Sequence, residues 1–436
     1  MRIRNITNFD FTLFLSVIFL SIIGIAFIYS SGINSEGVNV SSEYLRQILW
    51  STTGILLLLS VILVDIRRIA DRTFLLFVVA LLLLLYTRFM GRYVNGAKSW
   101  LGIGSLGIQP SEFTKIVFIL YLAYYLDKSS RFESNLRRFL KSCLIMFLPM
   151  ILILSQPDLG TASVYFPIFL AMAFMAGIPL RYLGIVFFTC ILTLIFTILP
   201  FWESSILQRP VAILRILTDP KLSIITLFAF SLITVLALIG RILFKTGYYY
   251  WIAYATSIIT VSLFCAFGAS KVLKEYQIMR LIVFLDPEVD PLGSGWNIIQ
   301  SITAIGSGGL FGLGFLKGTQ SHYRFLPQQS TDFIFSILSE EWGFVGGCTV
   351  ILLYSLILFR GLVIIKKTEN MYSSLVATGI VAMFFYHFIV NIGMVMGMMP
   401  ITGIPLLLLS HGGSSVWTAM IAIGLLMGVN MRRLDH

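Results

Sequence analysis

Residues 11–30 read FTLFLSVIFLSIIGIAFIYS, twenty residues without a single charge. Wound as an α-helix at 1.5 Å per residue, about 20 apolar residues span the hydrocarbon core of a bilayer. Runs of the same kind recur at 47–64, 74–90, 112–126, 139–155, 159–177, 183–201, 222–243, 249–268, 344–365, 373–396 and 416–431. That makes twelve candidate transmembrane helices. The 112–126 run is the weakest, because it opens on Glu112 and Lys115. The runs are continuous, unlike the alternating ~10-residue segments of an outer-membrane barrel.

Composition agrees. Of 436 residues, 58% are hydrophobic and 12% charged, with a mean hydropathy of +0.92. A water-facing domain holds about 25% charged residues and could not hide this much apolar surface. A cytosolic enzyme, a nucleic-acid-binding domain and a disordered scaffold are excluded. The fold expected is an all-α polytopic membrane protein, residues 1–436 forming a single integral membrane domain. Met1–Arg4 and the first apolar run lack a small-residue cleavage site after them, which favours a first span over a removable signal.

The net charge of +11 and pI of about 9.5 reflect basic residues at helix ends, where lipid and orientation explain them without nucleic acid. With the N-terminus in the cytoplasm, Arg2, Arg4, Arg67, Arg68, Arg72, Lys128, Arg131, Arg137, Arg138, Lys141, Arg181, Arg241, Lys245, Arg360, Lys366, Lys367, Arg432 and Arg433 fall on short inner loops. These are 18 of the 31 Lys and Arg residues. Both termini are therefore expected inside. Cys143, Cys190, Cys265 and Cys348 occur singly, with no metal spacing, and read as small buried hydrophobes.

Residues 269–343 form a 75-residue connection on the outer side, far beyond ordinary loop length. Its aromatic residues, Trp296, Phe311, Phe315, Tyr323, Phe325, Phe333 and Phe335, argue for a segment folded against the bundle. No internal repeat of the inverted-transporter kind is evident.

Charge at membrane depth costs about 2.5–3.5 kcal/mol per residue on insertion scales, so it marks candidate sites. Gln109-Pro110-Ser111-Glu112-Phe113-Thr114-Lys115 starts a helix at Pro110, with Ser111 as a cap, and puts Glu112 and Lys115 on one face. The pair reads either as a neutralised ion pair or as a polar patch in a cavity. Asp158, in Gln156-Pro157-Asp158-Leu159-Gly160-Thr161, is a helix cap or a site residue, depending on what faces it. The glycines of 304–314 (AIGSGGLFGLG) either cradle phosphate or permit close packing, and no Lys follows to favour the first. Asp332 precedes the apolar Phe333-Ile334-Phe335. There it is a base strengthened by partial desolvation, or a helix cap together with Thr331. His322 and His387 read as structural or interfacial.

Taken in order, QPSE (109–112), QPDLGT (156–161), DPEVDPLGSGW (286–296), AIGSGGLFGLG, GTQS (318–321), FLPQQSTDFIF (325–335), SEEWGFVG (339–346), NIGMVMG (391–397) and SHGGSS (410–415) resemble the SEDS family of peptidoglycan glycosyltransferases over nearly the whole chain. GTQS followed by FLP and TDFIF is more similar to the elongation, RodA-like branch than to the division, FtsW-like branch. The resemblance implies a polymerase that joins lipid II into glycan strands outside the cytoplasm, releasing undecaprenyl diphosphate. It implies Asp332 as the catalytic residue, and Arg46, Glu112, Lys115 and Asp158 as cavity residues. Gln320 and Thr331 join the substrate-binding set on their motifs. Arg280 joins it on spacing alone, as a cation for the departing diphosphate beside Arg46 and Lys115. Trp100 matches a position tied to activation by the partner. The partners implied are a class B penicillin-binding transpeptidase and other elongation-complex proteins, in the bacterial cytoplasmic (inner) membrane. A divalent cation, magnesium or manganese, is the one cofactor left open, since no metal cage is legible.

The chain also departs from the family. The usual ten spans become twelve, with a two-helix insertion expected at 202–268. Gln328 and Ser330 replace a Glu and a His of the relatives' motif, and His411 replaces a Tyr. Two other function classes compete: a lipid II flippase or transporter, and a non-catalytic scaffold for the transpeptidase. The polar segments gathered on one side favour the enzyme, because a transporter places polar residues at mid-membrane in paired halves.

Overall fold

Polar residues at the ends of the apolar runs decide where helices begin. The side chains of Asp10, Asp65, Asp158, Asp219 and Asn370 each accept a hydrogen bond from a first-turn backbone N–H, at 2.9–3.1 Å. The structure is a computed structural model that describes residues 9–432 apart from 95–96, 104–105, 208, 210, 273–274 and 327. Arg2, Arg4 and Arg433 of the orientation argument lie outside the described residues. The helices are α1 Phe11–Ser31, α2 Glu43–Leu63, α3 Ile66–Ile69, α4 Thr73–Met90, α5 Pro110–Ser129, α6 Asn135–Leu154, α7 Leu159–Met175, α8 Leu180–Trp202, α9 Arg215–Thr218, α10 Pro220–Phe244, α11 Gly247–Val272, α12 Glu275–Leu285, α13 Ser294–Ser307, α14 Thr319–His322, α15 Ile334–Lys367, α16 Met371–Val395 and α17 Gly413–Met431.

All twelve expected segments fall on helices. Among the described residues, nine helices are long and apolar enough to cross a membrane. Helices α5, α6 and α7 fall short of that measure: α7 has 17 residues, α5 carries charges at both ends (Glu112, Lys115, Asp127 and Lys128), and α6 carries Arg137, Arg138 and Lys141 in its opening turns. One element lies outside an all-α reading. Strands β1 Arg92–Val94, β2 Ala97–Ile103 and β3 Leu106–Ile108 form an antiparallel sheet in the order β1-β2-β3, pairing Arg92 with Trp100 and Leu101 with Ile108.

The chain forms two compact units, residues 1–178 with 297–436, and residues 179–296. In the first, the most buried spans are α16 and α17. One end of this unit is basic. There Arg360 pairs with Asp10 at 2.8 Å, Arg432 donates to Ile62 O and Leu63 O, and Arg138 donates to Leu126 O and Ala176 O. The opposite end gathers the start of α2, the sheet, the starts of α5, α7, α15 and α17, and the end of α16. In the second unit, α10 and α11 pack together through Thr234 and Thr256, at 2.9 Å, and α11 packs on α8 through Ser262 and Thr189 O, at 3.2 Å.

The expected span at 344–365 begins one residue past a break. Helix α15 starts at Ile334 and is interrupted at Gly343, whose φ is +64°. Around the break, the segment 309–314 takes over the backbone bonds: Phe344 N–H donates to Gly309 O, Val345 N–H to Leu310 O, Leu313 N–H to Glu340 O and Gly314 N–H to Glu341 O, at 2.9–3.2 Å. A Cβ on Gly312, at φ +80°, would lie 2.0 Å from Glu341 O. Close packing, not a phosphate cradle, accounts for this glycine. Gly312→Ala adds that clash to a left-handed backbone, which costs about 1–2 kcal/mol by itself. A clear drop in the thermal unfolding midpoint in detergent is expected, and an unchanged midpoint would show that the segment does not pack here.

Candidate functional site

Pro110 opens α5, and Gln109 occupies the cap position, so Ser111 is not the cap expected of it; its hydroxyl is buried without a partner. Glu112 and Lys115, three residues apart, meet on one helical face, with Lys115 Nζ donating to Glu112 Oε1 at 2.8 Å. Lys115 is 0% exposed and Glu112 3%. This is an ion pair taken out of water. Its second member is not saturated, since Glu112 Oε2 is buried with no partner. Lys115 Nζ also lies 3.2 Å from Nε2 of His387 on α16.

Asp158 caps α7. Its carboxylate accepts from Thr161 N–H at 3.0 Å, Thr161 Oγ1 at 2.9 Å and Gln109 Nε2 at 3.0 Å. Burial pushes this carboxyl above its ordinary range, against the two Thr161 bonds, which pull it down. The Gln109 bond joins the QPSE and QPDLGT motifs, and Gln109 N–H donates to Ser414 Oγ of α17 at 2.9 Å.

Asp332 is half-buried at the approach to α15. Neither it nor Thr331 is the cap, which is Phe333 without a side-chain bond, so the capping reading falls away. Thr331 Oγ1 donates instead to Gln328 O at 3.2 Å. The Asp332 carbonyl accepts from Asn391 Nδ2 at 3.0 Å, and the same amide donates to Ile404 O at 2.8 Å. Asn391 follows His387 by four residues, on the same face of α16. One turn of α16 thus touches Lys115 at one level and the Asp332 backbone at the next.

Arg46 is exposed in the first turns of α2. Beside it, buried Gln47 holds Ser410 O and Gly412 N–H, and the intervening His411 donates its backbone N–H to Ser330 O at 2.8 Å. Burial lowers the His411 imidazole; Glu43 opposes that shift and the Arg46 guanidinium adds to it. The start of α2 is thus linked, through residues 410–412, to the loop that leads to Asp332.

Three more of the expected residues lie on other elements. Gln320 sits on α14, its N–H donating to Glu340 Oε1 at 2.8 Å. Trp100 lies on β2, its ring against Gly107. Arg280 lies on α12, in the second unit.

His387 and Asn391 were not singled out from the sequence as site residues, nor were Glu340 and Glu341. Both of these glutamates are fully buried. Glu340 accepts from Thr319 Oγ1 and the N–H groups of Gln320 and Ser321. Glu341 accepts from Ser30 Oγ and Leu316 N–H, with His322 Nε2 at 3.6 Å. The signal that exposes them is the rule that flagged Glu112: carboxylates next to an apolar run need partners.

Among the described residues, no three His, Cys, Asp or Glu side chains converge as metal ligands. Beside the site, between α4, the sheet and α5, lies an apolar cavity of about 540 Å³ lined by Leu76, Ala80, Leu101, Ile108, Pro110 and Phe113, among others.

The family described as "Cell cycle protein" (FTSW_RODA_SPOVE) matches residues 11–209 and 205–434. The chain is 57% identical to the peptidoglycan glycosyltransferase RodA of Treponema pallidum (strain Nichols), over 100% of both sequences. It is 33% identical to the stage V sporulation protein E of Bacillus subtilis (strain 168), covering 88% of this chain and 86% of that protein. Among solved structures, one reported under the heading of polymerization and crosslinking by a peptidoglycan synthase complex aligns with a TM-score of 0.67 at 25% identity, covering 98% of this chain and 99% of the other.

Proposed function

The chain belongs to the FtsW/RodA/SpoVE family, the SEDS proteins, and from that premise we propose that it polymerises lipid II into the glycan strands of peptidoglycan. The observation that carries the mechanism is the single turn of α16 that joins Lys115, through His387, to Asp332, through Asn391. Glycosyl transfer needs a base for the acceptor and positive charge for the leaving group, and this arrangement supplies both.

Asp332 takes the proton of the acceptor sugar's 4-hydroxyl. The freed oxygen attacks the anomeric carbon of the donor, a new C–O bond forms, and the bond to the diphosphate breaks. Undecaprenyl diphosphate departs, its charge met by exposed Arg46 and, through space, by the buried Lys115 ammonium. Asp158 and Glu112 shape the polar floor, and Gln320 and Thr331 contribute hydrogen bonds to the sugars. The apolar cavity beside α5 suits a polyprenyl tail, and sideways access suits two lipid-tethered substrates.

Basic residues collect at the end of the first unit opposite Asp332, which supports cytoplasmic termini and an extracytoplasmic site in the inner membrane. Residues 269–343 then form the outer loop, and α10 with α11 the insertion into a ten-helix core. The RodA-named relative favours elongation over division, and the synthase-complex neighbour favours a class B transpeptidase partner, with Trp100 on the sheet at its contact. A flippase is the competing reading. In proteoliposomes with fluorescent lipid II, polymerisation produces a ladder of glycan products; label that changes leaflet with no ladder would favour the flippase.

A further inference from the structure

The proposed chemistry leaves His387 unassigned, although it is 1% exposed and bonded at both nitrogens. Its Nδ1 lies 2.9 Å from Pro405 O. A carbonyl oxygen can only accept, so Nδ1 carries the proton and donates. The neutral ring then presents Nε2 as a lone pair, and Lys115, which has donors only, gives it a hydrogen at 3.2 Å. A lysine ammonium is a compact charge on a flexible stem with three rotatable donors, and one acceptor fixes it poorly. Here two acceptors from different helices hold it: Glu112 from its own helix and His387 from α16.

We propose that His387 is a positioning residue, a fixed acceptor that holds the Lys115 ammonium in register with Asp332. The register comes from α16 and from the chain at 404–405. His387 and Asn391 are one turn apart, and their anchors, Pro405 O and Ile404 O, are consecutive carbonyls. Any shift of that stretch moves Lys115 and the Asp332 backbone together. This inference rests on the buried Lys115 charge acting through space on the leaving diphosphate, as proposed above.

The test separates acceptor from volume. His387→Gln keeps a side-chain acceptor, while His387→Leu fills similar space without one; His387→Met replaces Leu should that variant not fold. Purified proteins are matched by thermal unfolding midpoint and assayed for initial rates of lipid II consumption over a range of concentrations. The apolar variant is expected to lose kcat about 10- to 100-fold, the size of effect a misplacement near 1 Å produces, with KM little changed. Gln is expected to recover most of that loss. Equal rates in the Gln and apolar variants, or a wild-type rate in the apolar variant, would overturn the proposal. Failure of the wild-type chain itself to make polymer would instead strike the reading it rests on.

Discussion

Glu112→Gln is expected to destabilise the protein by about 3–5 kcal/mol, and Lys115→Met added to it to return most of that loss. The reasoning starts from burial. Lys115 is 0% exposed and its ion-pair partner among the described residues, Glu112, is 2.8 Å away. Removing the carboxylate strands an ammonium in surroundings that cannot solvate it, and a neutral imidazole compensates little. Removing both charges leaves two apolar or amide side chains in a site that no longer demands solvation. A buried pair is thus costly to break by halves and cheap to delete whole. Unfolding midpoints in detergent for wild type, both single variants and the double variant complete the cycle. Single variants as stable as wild type would mean that water reaches the pair. The double variant is expected to be folded but nearly inactive, which separates the role of this charge in stability from its role toward substrate.

The largest effect on activity is expected at Asp332. Asp332→Asn keeps the shape and removes the base. General-base contributions typically amount to about 10²- to 10⁴-fold, and initial rates of lipid II consumption should fall within or beyond that range. Asp332→Glu keeps the carboxylate and moves it by one methylene, so a residual rate between those of wild type and Asn is expected. Equal loss in Asn and Glu would point to a spatial requirement rather than to proton transfer. The backbone contact from Asn391 is unaffected by either change, since it uses the Asp332 carbonyl.

Much of the architecture is legible in the sequence because bilayer thickness sets helix length. The reading at 344–365 shows where that rule stops. Residues 334–343 read as the end of the outer connection, yet they form the first part of α15, the Glu340 and Glu341 carboxylates satisfied by Ser30, Thr319 and the N–H groups of 316, 320 and 321. The short sheet escaped for a different reason. Two of its strands have three residues, too few for an alternating pattern, although Asn95-Gly96 is a recognised hairpin signal.

At the site, Glu112 and Lys115 were legible because three residues along a helix bring side chains together. His387 was not: its partner lies 272 residues away, and a lone histidine on an apolar helix reads as core. The alternative cap role of Asp332 could be set aside only once Phe333 was seen at the cap.

The most direct test is electrophoresis of the products made by the purified chain from fluorescent lipid II, wild type beside Asp332→Asn at matched unfolding midpoints. A ladder of glycan strands from the wild type, with none from the variant, is the expected result. Ladders of equal intensity from both would contradict a carboxylate at position 332 as the base of this reaction.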